Sequence, residues 1–445
     1  MIFLQMILLT IGIICLQKPR YSLGYFVVCR ILIPENFRIL NGVISLNTLN
    51  ILFCVISILL YGFKHHIYIE KFSKKFIMGL LLYMAYSIVV LPLSDYGDLI
   101  GQYNNLVQFF ITDILPALLM IIGINNECDL KCIIKSFLIA TVITCTYGIL
   151  TVVISYNPIS VLFECNEMVT NSWKGASTSA TFVSTNAFGY FLALTIPFVY
   201  YLEREEKEKK GKRYLQVLIV LLVINLLLCK KRSAIIAILA FCVFLFIHYI
   251  SKKKIDKRVL KLSVLMVPLG IIMVVVLFNI PAFSKVANYL KATLFFWNDN
   301  VIANIAATGE LGSTMELRIR QVMYPFIEIH NNIILGHGFG WAGWYLNKYK
   351  LHPMLFGFES IFASGICEFG IAAVFVYSAL FKISYDYCKL YKPKKDVGNY
   401  ALIFVLVYII DTVATGFNYF FLFEIMVVLL GKVEKIHVRN VYITN

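Results

Sequence analysis

The feature that most restricts this chain is the repeated return of apolar runs about 20 residues long, because a run of that length crosses the hydrocarbon of a bilayer as one helix. Only a helix satisfies its own backbone hydrogen bonds there, so the runs predict an all-α, polytopic membrane protein. Composition agrees. Of 445 residues, 60% are hydrophobic and 15% charged, which is more apolar surface than one soluble interior encloses. The pattern predicts about twelve transmembrane helices, near 1–17, 43–62, 76–93, 106–124, 132–155, 181–202, 214–229, 233–250, 262–279, 358–381, 399–416 and 418–432. Residues 1–279 then carry helices one to nine, 280–357 form a long external (periplasmic) loop with short helices, and 358–445 carry helices ten to twelve and a cytoplasmic tail. Met1 to Gln17 has neither the basic start nor the small-residue cleavage site of a signal peptide, so it is expected to stay as a helix.

The net charge of +15 does not indicate nucleic acid, because the cations stand in short clusters between apolar runs and not along one face. Those clusters set topology instead. One side receives Lys64 to Lys75, Lys131, Arg204 to Arg213, Lys252 to Lys261, Lys382 to Lys395 and Lys432 to Arg439, the larger share of the 40 Lys and Arg residues. By the positive-inside rule that side, with both termini, is cytoplasmic. Residues 18–42 fall outside in spite of Lys18, Arg20, Arg30 and Arg38; the alternative is a short crossing or re-entrant segment at 21–34, which makes the count thirteen. Most of the 11 cysteines lie inside apolar runs, so no disulfide framework is expected. Cys128 and Cys132 flank Asp129 without a second pair, and the histidines have no metal-ligand spacing. No metal and no cofactor are therefore expected.

Several constellations remain that can carry chemistry. Lys230, Lys231 and Arg232 form a very tight turn on the external side, against the topological rule. The plain explanation is snorkelling to lipid phosphates; the functional one is a pyrophosphate site, where the planar fork of Arg holds two anionic oxygens. In the long loop, Glu316 to Tyr324 reads as an amphipathic helix with Arg318 and Arg320 on different faces, followed by Gly336-His337-Gly338-Phe339-Gly340. That glycine run lacks the strand-to-helix setting of a dinucleotide motif, and a flexible turn is its plain explanation. Trp297, Trp341 and Trp344 suit a membrane interface. Glu359 opens the tenth helix among apolar residues, either as a general base or only as a helix cap. Asp113 and Glu368 are costly within lipid and are secondary candidates, with structural pairing as the alternative.

In order along the chain, these pieces resemble the O-antigen polymerase and ligase superfamily of bacterial membrane glycosyltransferases. Lys231-Arg232-Ser233-Ala234 resembles the family's Ser-Arg-x-Ala stretch, and Arg318, eighteen residues before Gly336, resembles its Arg followed by a Gly-x-Gly. Thr181 to Asn186 resembles the start of a middle helix but lacks the usual Pro and Arg, so no role passes to Asn186, and Lys174 is a loose substitute. Glu359 stands where the ligases carry histidine, eleven residues before Gly370, which resembles the polymerase branch. The resemblance implies polymerisation of undecaprenyl-pyrophosphate-linked repeat units into O-antigen or capsule, without metal, at the external face of a bacterial inner membrane. It implies Glu359, Arg232 and Arg318 as catalytic groups, and Arg320, Lys231, Lys230, His337, His352 and Lys174 as substrate contacts. Membrane lipids, a lipid-linked donor and acceptor, a chain-length regulator and a flippase are the implied partners. The alternatives are an O-antigen ligase acting on a lipid A core, a lipid-linked oligosaccharide flippase, and a non-catalytic partner in an envelope complex.

Overall fold

The computed structural model describes residues 2–39, 44–65, 69, 71–93, 99–163, 177–251, 298, 300, 323, 332–349, 360–390, 395–416 and 419–443. The expected helix near 262–279 and nearly all of the loop from 280 to 331 lie outside them. The chain opens with α1 (Ile2–Cys15) and α2 (Pro19–Leu32), then a small hairpin of β1 (Arg38–Ile39) and β2 (Ile44–Ser45), paired antiparallel with Arg38 opposite Ser45. Next come α3 (Leu46–Lys64), α4 (Lys71–Val90) and α5 (Leu99–Phe109), which passes through a π-helical turn at Phe110–Ile114 into α6 (Leu115–Gly123). They are followed by α7 (Glu127–Val153), the short α8 (Pro158–Leu162), α9 (Thr185–Glu205), α10 (Lys209–Cys229) and α11 (Arg232–Ser251). The last described part holds α12 (Trp341–Tyr349), α13 (Ile361–Phe369), α14 (Ala372–Leu390), α15 (Lys395–Thr415) and α16 (Phe420–Ile443).

Five of the described helices are long and apolar enough to cross a membrane, Leu46–Lys64, Ser73–Leu93, Ile100–Gly123, Glu127–Val153 and Lys209–Cys229, and the bent pair α13–α14 makes a sixth if it is one span. Their starts follow local chemistry. Ser45 accepts from the Thr48 N–H, Asn126 from Asp129 N–H and Ser184 from Ala187 N–H, each satisfying a donor the first turn leaves over. The outward faces are apolar: Ile139, Ile143 and Leu150 line one side of α7, and Val217, Val220 and Leu227 one side of α10, all exposed. Stripes of this kind suit lipid and are rare on a soluble monomer. At the centre, α9 is buried from Ala187 to Val199 and α16 from Phe420 to Lys432. Aromatic stacking joins them to α15, with Phe423 4.1 Å from Tyr408 and 5.7 Å from Phe404 between ring centroids.

Three expectations change. Residues 18–42 are not only an external connector: α2 at Pro19–Leu32 matches the short segment offered as the alternative at 21–34, sits inside the bundle and packs along α7. It runs parallel to α7, with Gly24 against Ser136 and the Ile31 carbonyl accepting from Thr144 and Thr181. The Tyr25 hydroxyl donates to Leu8 O across the antiparallel α1–α2 pair, and Ser57 donates to Leu16 O, so α1 and α3 run the same way. The sequence hides α2 because its polar residues dilute the apolar run; their partners lie far along the chain, as in Arg20 with Asp129 at 3.9 Å. Second, the tenth helix is not continuous over 358–381. It breaks at Gly370 and turns by 120° between α13 and α14. Third, Lys432, expected in the cytoplasmic tail, is buried within α16, where its ammonium donates to Ile121 O and Ile124 O at 3.2 and 3.1 Å and closes the C-terminal end of α6.

Candidate functional site

The turn between α10 and α11 forms because α10 ends with Lys230 in the left-handed region (φ +55°), which lets α11 restart at Arg232. The turn is tied to the start of α9. Cys229 Sγ lies 3.1 Å from Thr185 O, and Leu228 O accepts from the Thr178 N–H. Gly189 leaves the space that the Lys231 stem fills: a Cβ there would sit 2.8 Å from Lys231 Cβ and Cγ. Lys231 Nζ then donates to Asn186 Oδ1 at 2.8 Å. Asp411 of α15, 1% exposed, faces both the Ser233 hydroxyl and the Lys231 charge. All three cations are half-buried at the turn, and the Lys231 ammonium reaches the exposed Asn186. Asn186 and Asp411 were not singled out as binding groups in the sequence; nothing in either local pattern announces a lysine from another helix.

Lys231→Ala leaves Asp411 as a buried carboxylate without that cation. A loss of about 1–2 kcal/mol is expected, from the lost hydrogen bond to Asn186 and the lost field of that cation at Asp411. Adding Asp411→Asn to that variant should return part of the stability. Thermal melts of the purified protein in detergent measure both, and equal melts for the single and double variants exclude the coupling.

A second polar cluster lies among α2, the π-helical turn and the connection from α15 to α16. The Arg30 guanidinium is 3.6 Å from Glu35 Oε2 and stacks 3.9 Å over the Phe421 ring. Asp113, carried on the π-helical turn, accepts from the Thr112 hydroxyl at 2.6 Å and from the Phe421 N–H at 3.4 Å. Tyr419, with φ +53°, stacks on Tyr190 at 5.7 Å. One helical turn beyond that start of α9, Tyr190 joins this cluster to the one around Lys231. π-turns concentrate at functional sites, and this one places a carboxylate where a regular helix would close its ladder.

The glycine run is a clasp around the helix break. Gly336, Gly338 and Gly340 all have positive φ. The His337 N–H donates to Cys367 O at 2.9 Å and the Gly338 N–H to Glu368 O at 2.8 Å, while Ile371 N–H donates back to Ile333 O at 2.8 Å. Glu368 accepts from the Gly340 and Ala342 N–H groups, so it is a structural partner of the backbone, the second of the two roles considered for it. His337 is buried, stacked on Trp341 at 4.3 Å and 3.5 Å from Asn332 Nδ2. Trp341 is likewise buried and not at an interface. The helix expected to open at Glu359 starts later, with Ser360 as N-cap of α13. Glu359 itself, Arg318, Arg320, His352 and Lys174 lie outside the described residues.

No protein-family model matches the sequence, and no curated protein resembles it closely enough to count as a relative. The functional reading therefore rests on this chain's own residues.

Proposed function

We propose that the protein is a metal-independent membrane glycosyltransferase that polymerises undecaprenyl-pyrophosphate-linked repeat units into a surface polysaccharide. The observation that carries the reading is the turn at Lys230–Arg232, whose Lys231 is tied to Asn186. A snorkelling cluster would send every charged head toward lipid phosphate, whereas the Lys231 ammonium donates to Asn186 Oδ1 at 2.8 Å and its charge acts on Asp411. In this reading the turn faces the external side and the end of the bundle that carries Arg20, Lys131, Lys212 and Lys432 is cytoplasmic, which puts the start of α1, antiparallel to α2, at the external end and departs from the expectation of two cytoplasmic termini.

The chemistry follows from the charge that develops. As the anomeric C–O bond of the donor breaks, its electron pair passes to the pyrophosphate oxygen, and Arg232 with Arg318 stabilises that charge more than it stabilises the ground state. Arg320 and Lys230 assist. The acceptor sugar hydroxyl forms the new bond to the anomeric carbon and gives its proton to Glu359. Because pyrophosphate is already a good leaving group, one carboxylate suffices where a glycosidase needs two. Lys174, His352 and His337 are the remaining substrate contacts, His337 from a buried position in the clasp. The acid at 359, where a ligase has histidine, favours polymerase over ligase.

The test is an assay of the purified full-length protein with lipid-linked repeat units. A ladder of lengthened glycans is expected. Transfer to a lipid A core alone would establish the ligase, movement of the lipid across vesicles without chain growth the flippase, and no activity of any kind would overturn the enzyme reading.

A further inference from the structure

A groove opens on the flank of the bundle far from the basic turn, where the α1–α2 connection meets α7. It encloses about 320 Å³ and is walled by Ile14 of α1, Gly24 and Val28 of α2, and Cys132 and Ser136 of α7, with Arg20 at one end. Gly24 makes the dent, since any side chain there would press toward Ser136 and close the wall. From Arg20 to Val28 the groove runs eight residues along α2, about 12 Å at 1.5 Å per residue. Ile139 and Ile143, both exposed, continue the α7 face that carries Cys132 and Ser136 by one and two further helical turns. The shape is therefore an apolar channel, open to lipid along its length, with a cation at one end.

That cation is incompletely satisfied. Arg20 Nη1 lies 3.1 Å from Cys128 Sγ and 3.9 Å from Asp129 Oδ1, and Nη2 lies 3.1 Å from Tyr21 Oη. Its Nε is buried and has no hydrogen-bond partner, which is costly for a charged donor unless a ligand supplies an acceptor. The mouth also has surplus positive charge. Lys131 is matched by Glu127 at 2.6 Å and Arg20 in part by Asp129, but exposed Lys18 and Lys135 enter no ion pair among the described residues. A soluble anion has no use for the apolar wall, and a neutral lipid offers no charge to the guanidinium.

We propose that this groove binds one anionic glycerophospholipid of the adjacent leaflet, its phosphate on Arg20 and one acyl chain along Val28, Ile139 and Ile143. Basic pockets between transmembrane helices take such headgroups for these reasons. The assignment does not depend on the glycan-transfer reading and is tested without any activity measurement.

The experiment is native mass spectrometry of the delipidated full-length protein given equal amounts of phosphatidylglycerol and phosphatidylcholine with identical acyl chains. Wild type should retain a single phosphatidylglycerol with about tenfold preference, the size expected from one charge-assisted hydrogen bond. Arg20→Gln should abolish the preference, and Arg20→Lys should keep part of it. Ile14→Trp, at a position 57% exposed and so tolerant of bulk, should block the groove and lower retention of both lipids. Lys64→Gln, an exposed cation outside the groove, should change nothing. Equal retention of the two lipids by wild type, an unchanged preference in Arg20→Gln, or unchanged retention in Ile14→Trp overturns the proposal. Displacement of phosphatidylglycerol by an equal amount of undecaprenyl phosphate would make the groove a polyprenyl site and overturn the phospholipid assignment.

Discussion

Glu359→Gln in the full-length protein is expected to lower polymer formation on the order of 100- to 10,000-fold, the usual range for loss of a general base. The amide keeps the size of the side chain and its capacity to meet N–H groups near the start of a helix, so a capping role would survive the change. What disappears is the ability to take the acceptor hydroxyl proton. Glu359→Asp keeps the base but shortens the arm and should retain a little activity. The residue stands immediately before Ser360, the N-cap of α13, whose far end is gripped by the Gly336–Gly340 clasp. A parallel loss is expected for Arg232→Ala, with poor recovery in Arg232→Lys, because a point charge cannot reproduce a two-toothed grip on pyrophosphate. A normal glycan ladder from Glu359→Gln would reduce that residue to a cap and sink its catalytic role.

Gly370→Ala should produce a large loss of stability for a single-methyl change. Gly370 has φ +60°, and a Cβ there would sit 2.5 Å from Ile333 O and 2.6 Å from the Ile334 carbonyl. The left-handed backbone costs about 1–3 kcal/mol for a residue with a side chain, and forcing a methyl against fixed backbone adds about 1–3 kcal/mol. Neither neighbour can retreat, because Ile333 O and Ile334 O accept from Ile371 and Ala372 N–H. The expected readout is a marked fall in the temperature at which the detergent-purified protein loses its monodisperse size-exclusion peak. Gly343→Ala is the control. A Cβ at Gly343 meets nothing within 4 Å, so that change should be neutral or raise stability by about 0.5–1 kcal/mol by removing backbone freedom from the unfolded helix. Equal melting of the two variants would show that the clasp does not hold the break.

The helical character was legible because a run of apolar residues long enough to cross lipid leaves little choice of secondary structure. Long elements such as α3, α7 and α10 fall close to where the pattern put them. Elements governed by distant partners were not legible. The short α2 was legible only as the alternative of a short crossing or re-entrant segment at 21–34, and the partners of Arg20 and Arg30, namely Asp129, Glu35 and the Phe421 ring, were not. The break at Gly370 depends on a second backbone arriving from Ile333 and Ile334, which no local window contains. The glycine run was visible as a turn, but its burden is structural. The basic turn was found by its departure from topology alone, whereas its fixing partners Asn186 and Asp411 come from helices that the sequence does not connect to it.

The placement of α2 also sets an order of events during synthesis. The carbonyl of Ile31 and the guanidinium of Arg20 find their partners on α7 and at Thr181, about a hundred residues or more downstream. At roughly 5–20 residues per second, a ribosome needs on the order of 5–20 s to deliver α7 after α2 has emerged. Through that interval α2 has α1 and then α3 to lean on, but not the helix that takes up its polar groups. A segment with two arginines is a poor independent passenger in hydrocarbon. The α1–α2 pair is thus expected to wait at the membrane surface or beside the insertion machinery and to settle only when α7 arrives. Its final position is then acquired by assembly after synthesis of its own residues, and a nascent chain stopped before Glu127 should leave α2 open to protease.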